Sequence, residues 1–271
     1  MVPFDPRSQS IGIAPAGRPV IEWSMTEPPL ILYGMGSPNV RKVGIMLEEL
    51  GLDYALRHVS VFSGAQFDAG FLALNPLGKV PVLVDRAEDI TLFESGAILF
   101  YLAERHGAFL PAAGPARYAA MQWLMVQMAS IGPMFGQHTH FSLLPAGSEP
   151  YATARYAAQV ERLYRLLDDR LATHDWIAGD SYSIADIATY PWALYLERHG
   201  FSAADHPALT RWCERIGARP AIARSAVRFA EAFDAPTRDD IRAATAEALD
   251  RFFVRPAHAP PVDYAKAMRG G

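Results

Sequence analysis

Residues 78–104 read GKVPVLVDRAEDITLFESGAILFYLAE, and the fold is decided here. Val80-Pro81-Val82-Leu83-Val84 is a short β-branched run entered through a proline, a residue tolerated at a strand start or edge and purposeful when its peptide bond is cis. A polar turn over 85–89 leads into a second short apolar run, Ile90-Thr91-Leu92-Phe93. Glu94-Ser95-Gly96 then opens a segment with apolar residues at Ile98, Leu99, Tyr101 and Leu102, the spacing of a helix. The order is strand, turn, strand, helix. Ser95 stands at the helix start, where unpaired N–H groups and partial positive charge can hold a carboxylate. Glu94 beside it offers an acceptor for an ammonium, so the pair can hold both ends of an amino-acid zwitterion. Ser95 can equally be a plain helix cap, and these few residues alone do not choose.

Working outward toward the N-terminus, Leu30-Ile31-Leu32-Tyr33 is a buried strand and 34–39 (GMGSPN) a loop. Val40–Leu50 is a helix with a glycine stop at Gly51. Tyr54–Val59 is a second strand, 63–67 a loop, and 68–74 a short helix. The first unit therefore reads β-α-β-α-β-β-α, a small layered α/β domain over 29–110. It is not a dinucleotide fold, because GMGSPN does not match G-x-G-x-x-G. Tyr33 is assigned to the core. Toward the C-terminus, Pro111–Pro115 is a linker, and an all-helical domain is expected over 115–233. Residues 116–137 form a long apolar-rich helix that Gly132-Pro133 should kink. Residues 150–173 are amphipathic, with Val160, Leu163, Tyr164, Leu167 and Leu171 on one face. Ser183-Ile184-Ala185-Asp186 is a capping-box pattern. Helices over 206–218 and 221–233 follow, then an amphipathic tail helix over 237–253. Pro- and Gly-rich extensions flank the whole, at 1–28, with Ile21 and Trp23 able to pin it to a surface, and within 234–271, whose last stretch from Arg255 reads as an extended arm.

The chain has 271 residues, 51% hydrophobic and 20% charged, with a net charge of −4, enough for a large domain or two smaller ones. No basic stripe points to nucleic acid. One cysteine, Cys213, excludes an internal disulfide framework and a cysteine-cluster metal site. No apolar stretch suits a membrane span and no secretory signal is evident, so a cytoplasmic protein is expected. His138 and His140, two apart, do not make a helical metal pair and read as polar lining near a pocket. Met121, Trp123, Met125 and Met128 read as packing, although helix-facing methionines can also line a binding surface.

The V-P strand, the E-S helix start and the later S-I-A-D-I-A, in this order and spacing, resemble the glutathione transferase family over about residues 30–230. Ser37-Pro38-Asn39, 63–67 (SGAQF), 132–138 (GPMFGQH) and 150–156 (PYATARY) resemble its bacterial Nu class, whose longer members also carry extra terminal segments. The resemblance implies a thioredoxin-like N-terminal domain, an all-α C-terminal domain and a homodimer, with glutathione as co-substrate and no metal. It also implies roles. Glu94 and Ser95 grip the γ-glutamyl end. Val80, before a cis Pro81, pairs with the cysteinyl residue. Gln66 and Lys79 line the peptide, and Arg155 reaches the site from the helical half. Ser37, where a threonine is more usual, and Asn39 sit beside the sulfur. Gln137, His138 and His140 form a wall for a second substrate.

The chemistry fits these roles. A free thiol titrates near ~8.5, and keeping it mostly thiolate at neutral pH takes a fall of about two, worth ~2.7 kcal/mol. Hydroxyl, amide and backbone donors at a helix start supply such stabilisation. Asn39 can alternatively be a simple N-cap. The implied function is glutathione-dependent disulfide reduction, with glutathione as the thiol. Conjugation to electrophiles or reduction of organic hydroperoxides at the same site, or a non-catalytic glutathione-binding regulatory module, are the alternatives. The natural second substrate is not encoded in any motif.

Overall fold

The computed structural model describes residues 28–255. Ile21 and Trp23 of the N-terminal extension, and the arm beyond Arg255, lie outside the described residues.

The N-terminal unit runs β1 (Leu30–Gly34), α1 (Pro38–Glu49), β2 (Tyr54–His58), a 3-10 turn (Ala65–Phe67), α2 (Ala69–Leu74), β3 (Val82–Asp85), β4 (Ile90–Phe93) and α3 (Ser95–His106). The strands form one sheet in the order β2-β1-β3-β4, with β1 parallel to β2 and the other pairs antiparallel. The apolar runs of β1 and β3 are continuous because both faces of the sheet are covered. Leu30, Leu32 and Leu83 point into the large core shared with α1, α3 and the helical half. Ile31, Val82 and Val84 point to the opposite face, against Phe71 of α2. Tyr33 packs edge-on to Phe71 on that face, as assigned from the sequence. The β3–β4 turn is built on Asp85, whose Oδ1 accepts from the N–H groups of Ala87 and Glu88 while Oδ2 accepts from the Tyr101 hydroxyl at 2.7 Å. One buried carboxylate thus sets both the turn and the seat of α3. The Val80–Pro81 peptide is cis.

The helical half comprises α4 (Gly114–Val126), α5 (Gly132–Ser142), α6 (Pro150–Thr173), α7 (Ile184–Ala193), α8 (Pro207–Gly217), α9 (Pro220–Phe229), α10 (Ala235–Ala243) and α11 (Ala246–Phe252). The break expected at Gly132-Pro133 takes the form of a π turn, Gln127–Ile131, joining α4 to α5. A second π turn, Ala230–Asp234, joins α9 to α10 just before Pro236. Proline lacks an N–H and its ring crowds the carbonyl four residues back, and widening the preceding turn relieves both. The single tail helix expected over 237–253 is two helices. The chain turns extended at Ala244, and Thr245 caps α11 by accepting from the Ala248 N–H.

This C-terminal stretch lies on the N-terminal unit. Both oxygens of Asp234 accept from Arg41 at 2.7 and 2.6 Å, the Thr237 hydroxyl accepts from the Gly36 N–H at 2.9 Å, and Asp240 bonds His58 at 2.7 Å. Leu249 is buried in the core on the α2 face of the sheet.

The capping box at Ser183–Asp186 holds more than α7. Asp186 is fully buried; Oδ2 accepts from the N–H and hydroxyl of Ser183, and Oδ1 accepts from the Ile177 N–H and the Trp212 indole at 2.9 and 3.0 Å. Burial pushes this carboxyl above the ordinary range while the donors pull it back. Asp186→Ala leaves the buried Trp212 and Ile177 donors without an acceptor, at a cost of about 3 kcal/mol. Thermal unfolding should show a melting point lower by on the order of 6–12 °C, with normal turnover per folded molecule. Unchanged melting with lost turnover would make Asp186 an active-site residue instead.

Candidate active site

A cleft of about 650 Å³ opens between the two halves of the chain. Its floor is made by the first turns of α1 and α3. Ser37, not Asn39, is the N-cap of α1, its Oγ accepting from the Val40 N–H at 3.4 Å. Ser37 is not among the residues lining the cleft, yet its hydroxyl proton remains available because the oxygen serves as the acceptor. Asn39 lines the cleft and its Oδ1 accepts from the Trp192 indole N–H at 3.0 Å. An indole N–H only donates, so this bond fixes which way the Asn39 amide points. Its Nδ2 is left as the group able to donate toward a ligand.

At the other side of the floor, Glu94 takes a backbone φ of 68°, in the left-handed region that costs a non-glycine residue. This turn sets Glu94 on the cleft wall and Ser95, nearly fully buried, at the first position of α3. Beneath them lies Lys42 of α1, only 1% exposed. Its Nζ donates to Gln127 Oε1 at 2.6 Å and to Ser95 Oγ at 3.2 Å. Burial draws this ammonium down to about 7, with the nearby negative charge of Glu94 acting against it. Lys79 lines the third side. Its carbonyl is held by the Asn75 amide at 2.7 Å, and Val80 and Pro81 follow directly.

Gln137 and His140 stand on the opposite wall, three apart on one face of α5. His140 is pushed below the ordinary histidine range by burial. His138 shares a face with the fully buried Phe135 and turns inward, its Nε2 at 3.3 Å from the His199 carbonyl. Arg155 lines a separate groove between the α4–α5 bend and α6, with Ser130, Met134 and Tyr156, and none of these is among the residues lining the cleft. Gln66 is buried in its 3-10 turn and does not line the cleft either.

Several lining residues escaped the sequence reading, Trp192 of α7 among them. Lys42 and Gln127 lie within the helices expected over 40–50 and 116–137, and no local pattern sets them apart. Met128 was assigned to packing, yet it lines the cleft and lies over Gly96, where a Cβ would come within 2.9 Å of its Cγ. Phe252, Phe253 and Val254 close the cleft from the end of α11. The apolar triplet FFV at the end of an amphipathic tail was the available signal. The Phe253 ring lies tilted with its centroid 5.0 Å from that of His140, and the Phe252 ring likewise 4.6 Å from that of Phe62, so the C-terminal stretch reaches from α5 to the N-terminal unit. Cys213 is elsewhere, in α8, with burial pushing its thiol up to about 12. Among the described residues no group of His, Cys, Asp and Glu is arranged to hold a metal ion.

This layout agrees with comparisons to known proteins. Residues 28–104 match the family model "Glutathione S-transferase, N-terminal domain" and 120–220 match "Glutathione S-transferase, C-terminal domain". The chain belongs to the glutathione transferase family. It is 42% identical over 202 residues to the disulfide-bond oxidoreductase YfcG of Escherichia coli, covering 73% of this chain and 94% of that protein. A glutathione transferase family member from Pseudomonas fluorescens, solved with two glutathione bound, superposes with a TM-score of 0.69 at 39% identity, over 74% of this chain and 94% of the other. A glutathione transferase from Pseudomonas putida, solved with one glutathione disulfide per subunit, gives 0.68 at 36%, over 74% and 92%.

Trp192→Phe keeps a ring in place and removes the donor that orients Asn39. A hydrogen bond of this kind is worth about 0.5–1.5 kcal/mol. Steady-state kinetics should show turnover falling roughly 2–12-fold with little change in affinity for the ligand. A change confined to affinity would place the Asn39 amide away from the reacting atom.

Proposed function

We propose that this protein is a glutathione-dependent disulfide-bond reductase in which bound glutathione, not a protein cysteine, supplies the thiol. One observation carries the reading. The loop into the first turn of α1, where a thioredoxin-like protein would hold its reactive cysteine, presents Ser37 and the oriented Asn39 amide, while Cys213 is partly buried in α8 with a thiol that stays protonated at neutral pH. Glu94 and Ser95 receive the γ-glutamyl end, Lys79 and Val80 run beside the peptide, and Asn39 Nδ2 with the Ser37 hydroxyl stabilises the sulfur as thiolate. Gln66 supports the Lys79–Val80 segment from below, with its backbone carbonyl close to Gly78.

In the reaction the glutathione thiolate attacks one sulfur of the substrate disulfide. A mixed disulfide forms and the other substrate sulfur leaves as thiolate, taking a proton from solvent. A second glutathione thiolate attacks the glutathione sulfur of the mixed disulfide, giving glutathione disulfide and the second substrate thiol. Two glutathiones are oxidised and one disulfide is reduced, so the electrons balance with no further co-reactant. The wall of Gln137, His140 and Phe253 is positioned for the second glutathione or the substrate.

The same reading makes the protein a homodimer. The exposed apolar side chains Tyr118 and Met125 on α4, and Tyr151 and Leu166 on α6, support a partner on that face. Arg155, whose groove lies there, then faces the partner subunit rather than this chain's own cleft. A cytoplasmic location suits a reaction that consumes reduced glutathione, which the cytosol maintains.

Turnover of hydroxyethyl disulfide, cumene hydroperoxide and chlorodinitrobenzene should be compared side by side. The disulfide is expected to be the best substrate. Loss of one stabilising donor to a developing charge costs about 10²–10³ in turnover where it is fully engaged, and Asn39→Ala should approach the lower figure. Cys213→Ala should leave turnover unchanged. Preference for either other substrate would favour a transferase or a peroxidase, and no turnover with tight glutathione binding would favour a regulatory module.

A further inference from the structure

The floor of the cleft holds a group of donors that lack an acceptor. Lys42 Nζ has three protons. Two go to Gln127 Oε1 and Ser95 Oγ, and the third reaches only the Met128 sulfur at 3.6 Å. The Ser95 hydroxyl, already accepting from Lys42, also finds only that sulfur, at 3.6 Å. Gln127 is fully buried, and its Nε2 has no partner. A thioether is a weak acceptor. An ammonium, a hydroxyl and an amide N–H₂ therefore converge, beside the open N–H groups of the first turn of α3, with no carboxylate at ion-pair distance from Nζ among the described residues. Lys42, Gln127 and Met128 also line the cleft, so the group is open to a ligand.

A buried ammonium whose hydrogen-bond partners are all neutral is a poor device for stability, since its lost hydration is repaid only in part, by the charge of Glu94 nearby. It is a good receptor for an incoming anion. Gly132-Pro133 contributes here: the π turn it imposes begins at Gln127, and the absent side chain of Gly132 leaves room for the Gln127 amide, whose Nε2 would be 3.2 Å from a Cβ there. π turns of this kind recur at functional sites.

We infer that Lys42 and Gln127, together with Ser95 and the start of α3, form a carboxylate receptor that takes the α-carboxylate of the γ-glutamyl group, while Glu94 takes its ammonium. This rests on the glutathione reading above and adds Lys42 and Gln127 to it as ligand-binding residues. The selected chemistry is an α-amino acid terminus with both charges present. The charged groups facing Lys42 are Glu94 from the start of α3 and, across the cleft, Lys79 and His140, while its neighbours on the π turn, Gln127 and Met128, are uncharged. Because the ammonium is drawn down to about 7 in the free protein, it is largely neutral at pH 8. A carboxylate placed against it raises it again, so binding takes up a proton.

The probe is S-methylglutathione, which has no thiol to titrate, compared with its analogue bearing 4-aminobutyrate in place of the γ-glutamyl residue. That analogue lacks only the α-carboxylate. By calorimetry the wild-type protein should bind S-methylglutathione at least tenfold more tightly than the analogue. Lys42→Met should bind both equally weakly, with a melting point equal to or above the wild type's. Gln127→Leu should lose part of the same discrimination. At pH 8, titrations in buffers of different ionisation enthalpy should show proton uptake by wild type with S-methylglutathione and none with the analogue, a result that needs no variant. Lys42→Met that still discriminates the two ligands as wild type does, or wild-type binding of S-methylglutathione without proton uptake, overturns the assignment and leaves the glutathione reading standing. A wild-type protein that binds neither S-methylglutathione nor glutathione overturns both.

Discussion

The ammonium of Lys42 is fixed where the two halves of the chain meet, and the cleft depends on that placement. It rises from α1, bonds the first residue of α3 and bonds the π turn that begins α5. Three elements far apart in sequence are thereby set relative to one another at the floor of the site. The far end of α1 is pinned equally firmly. The buried Glu48 accepts from Tyr54, Arg224 and Arg228, so α9 and β2 hold the helix from behind. With both ends fixed, the start of α1 has little freedom, and Asn39 reaches the cleft already oriented by Trp192. Preorganised donors of this kind cost no reorganisation when charge develops on a sulfur.

Two prolines shape what surrounds that floor. Each sits just after a helix that would otherwise run straight, and each is accommodated by one π turn. The first delivers Gln127 to the floor of the cleft. The second bends the chain after α9 so that α10 and α11 return across the N-terminal unit. Asp234, Thr237 and Asp240 then tie down Arg41 on α1, Gly36 on the loop before it and His58 on β2. Phe252, Phe253 and Val254 complete the wall at the end of this path. The segment read from sequence as an extension is part of the site's enclosure.

The order of elements in the first unit was legible because each run had one dominant period and clear punctuation: Pro81, the polar turn at Asp85, Gly51, and Ser95 at a helix start. The Glu94–Ser95 pair was legible for the same reason, since position at a helix start is a local property. Lys42 was not. Beside Arg41 on an amphipathic helix it reads as solvated charge, and only the packing of α3 and the π turn over α1 buries it. His138 and His140 face different ways because two residues on a helix differ by more than half a face, and Phe135 claims the inward direction. Arg155 was placed by resemblance alone, and α6 carries it to a groove on another face. Phe252 to Val254 touch residues more than a hundred positions away, a relation no local pattern carries.

A thiol supplied by glutathione requires its sulfur to lie at the start of α1. A crystal structure of the protein grown with glutathione disulfide tests this most directly. One sulfur should lie within hydrogen-bonding distance of Asn39 Nδ2, with the attached γ-glutamyl carboxylate against the start of α3 and the second half of the ligand along Gln137 and His140. A ligand whose sulfurs lie away from Asn39, or a mixed disulfide on Cys213, would contradict it.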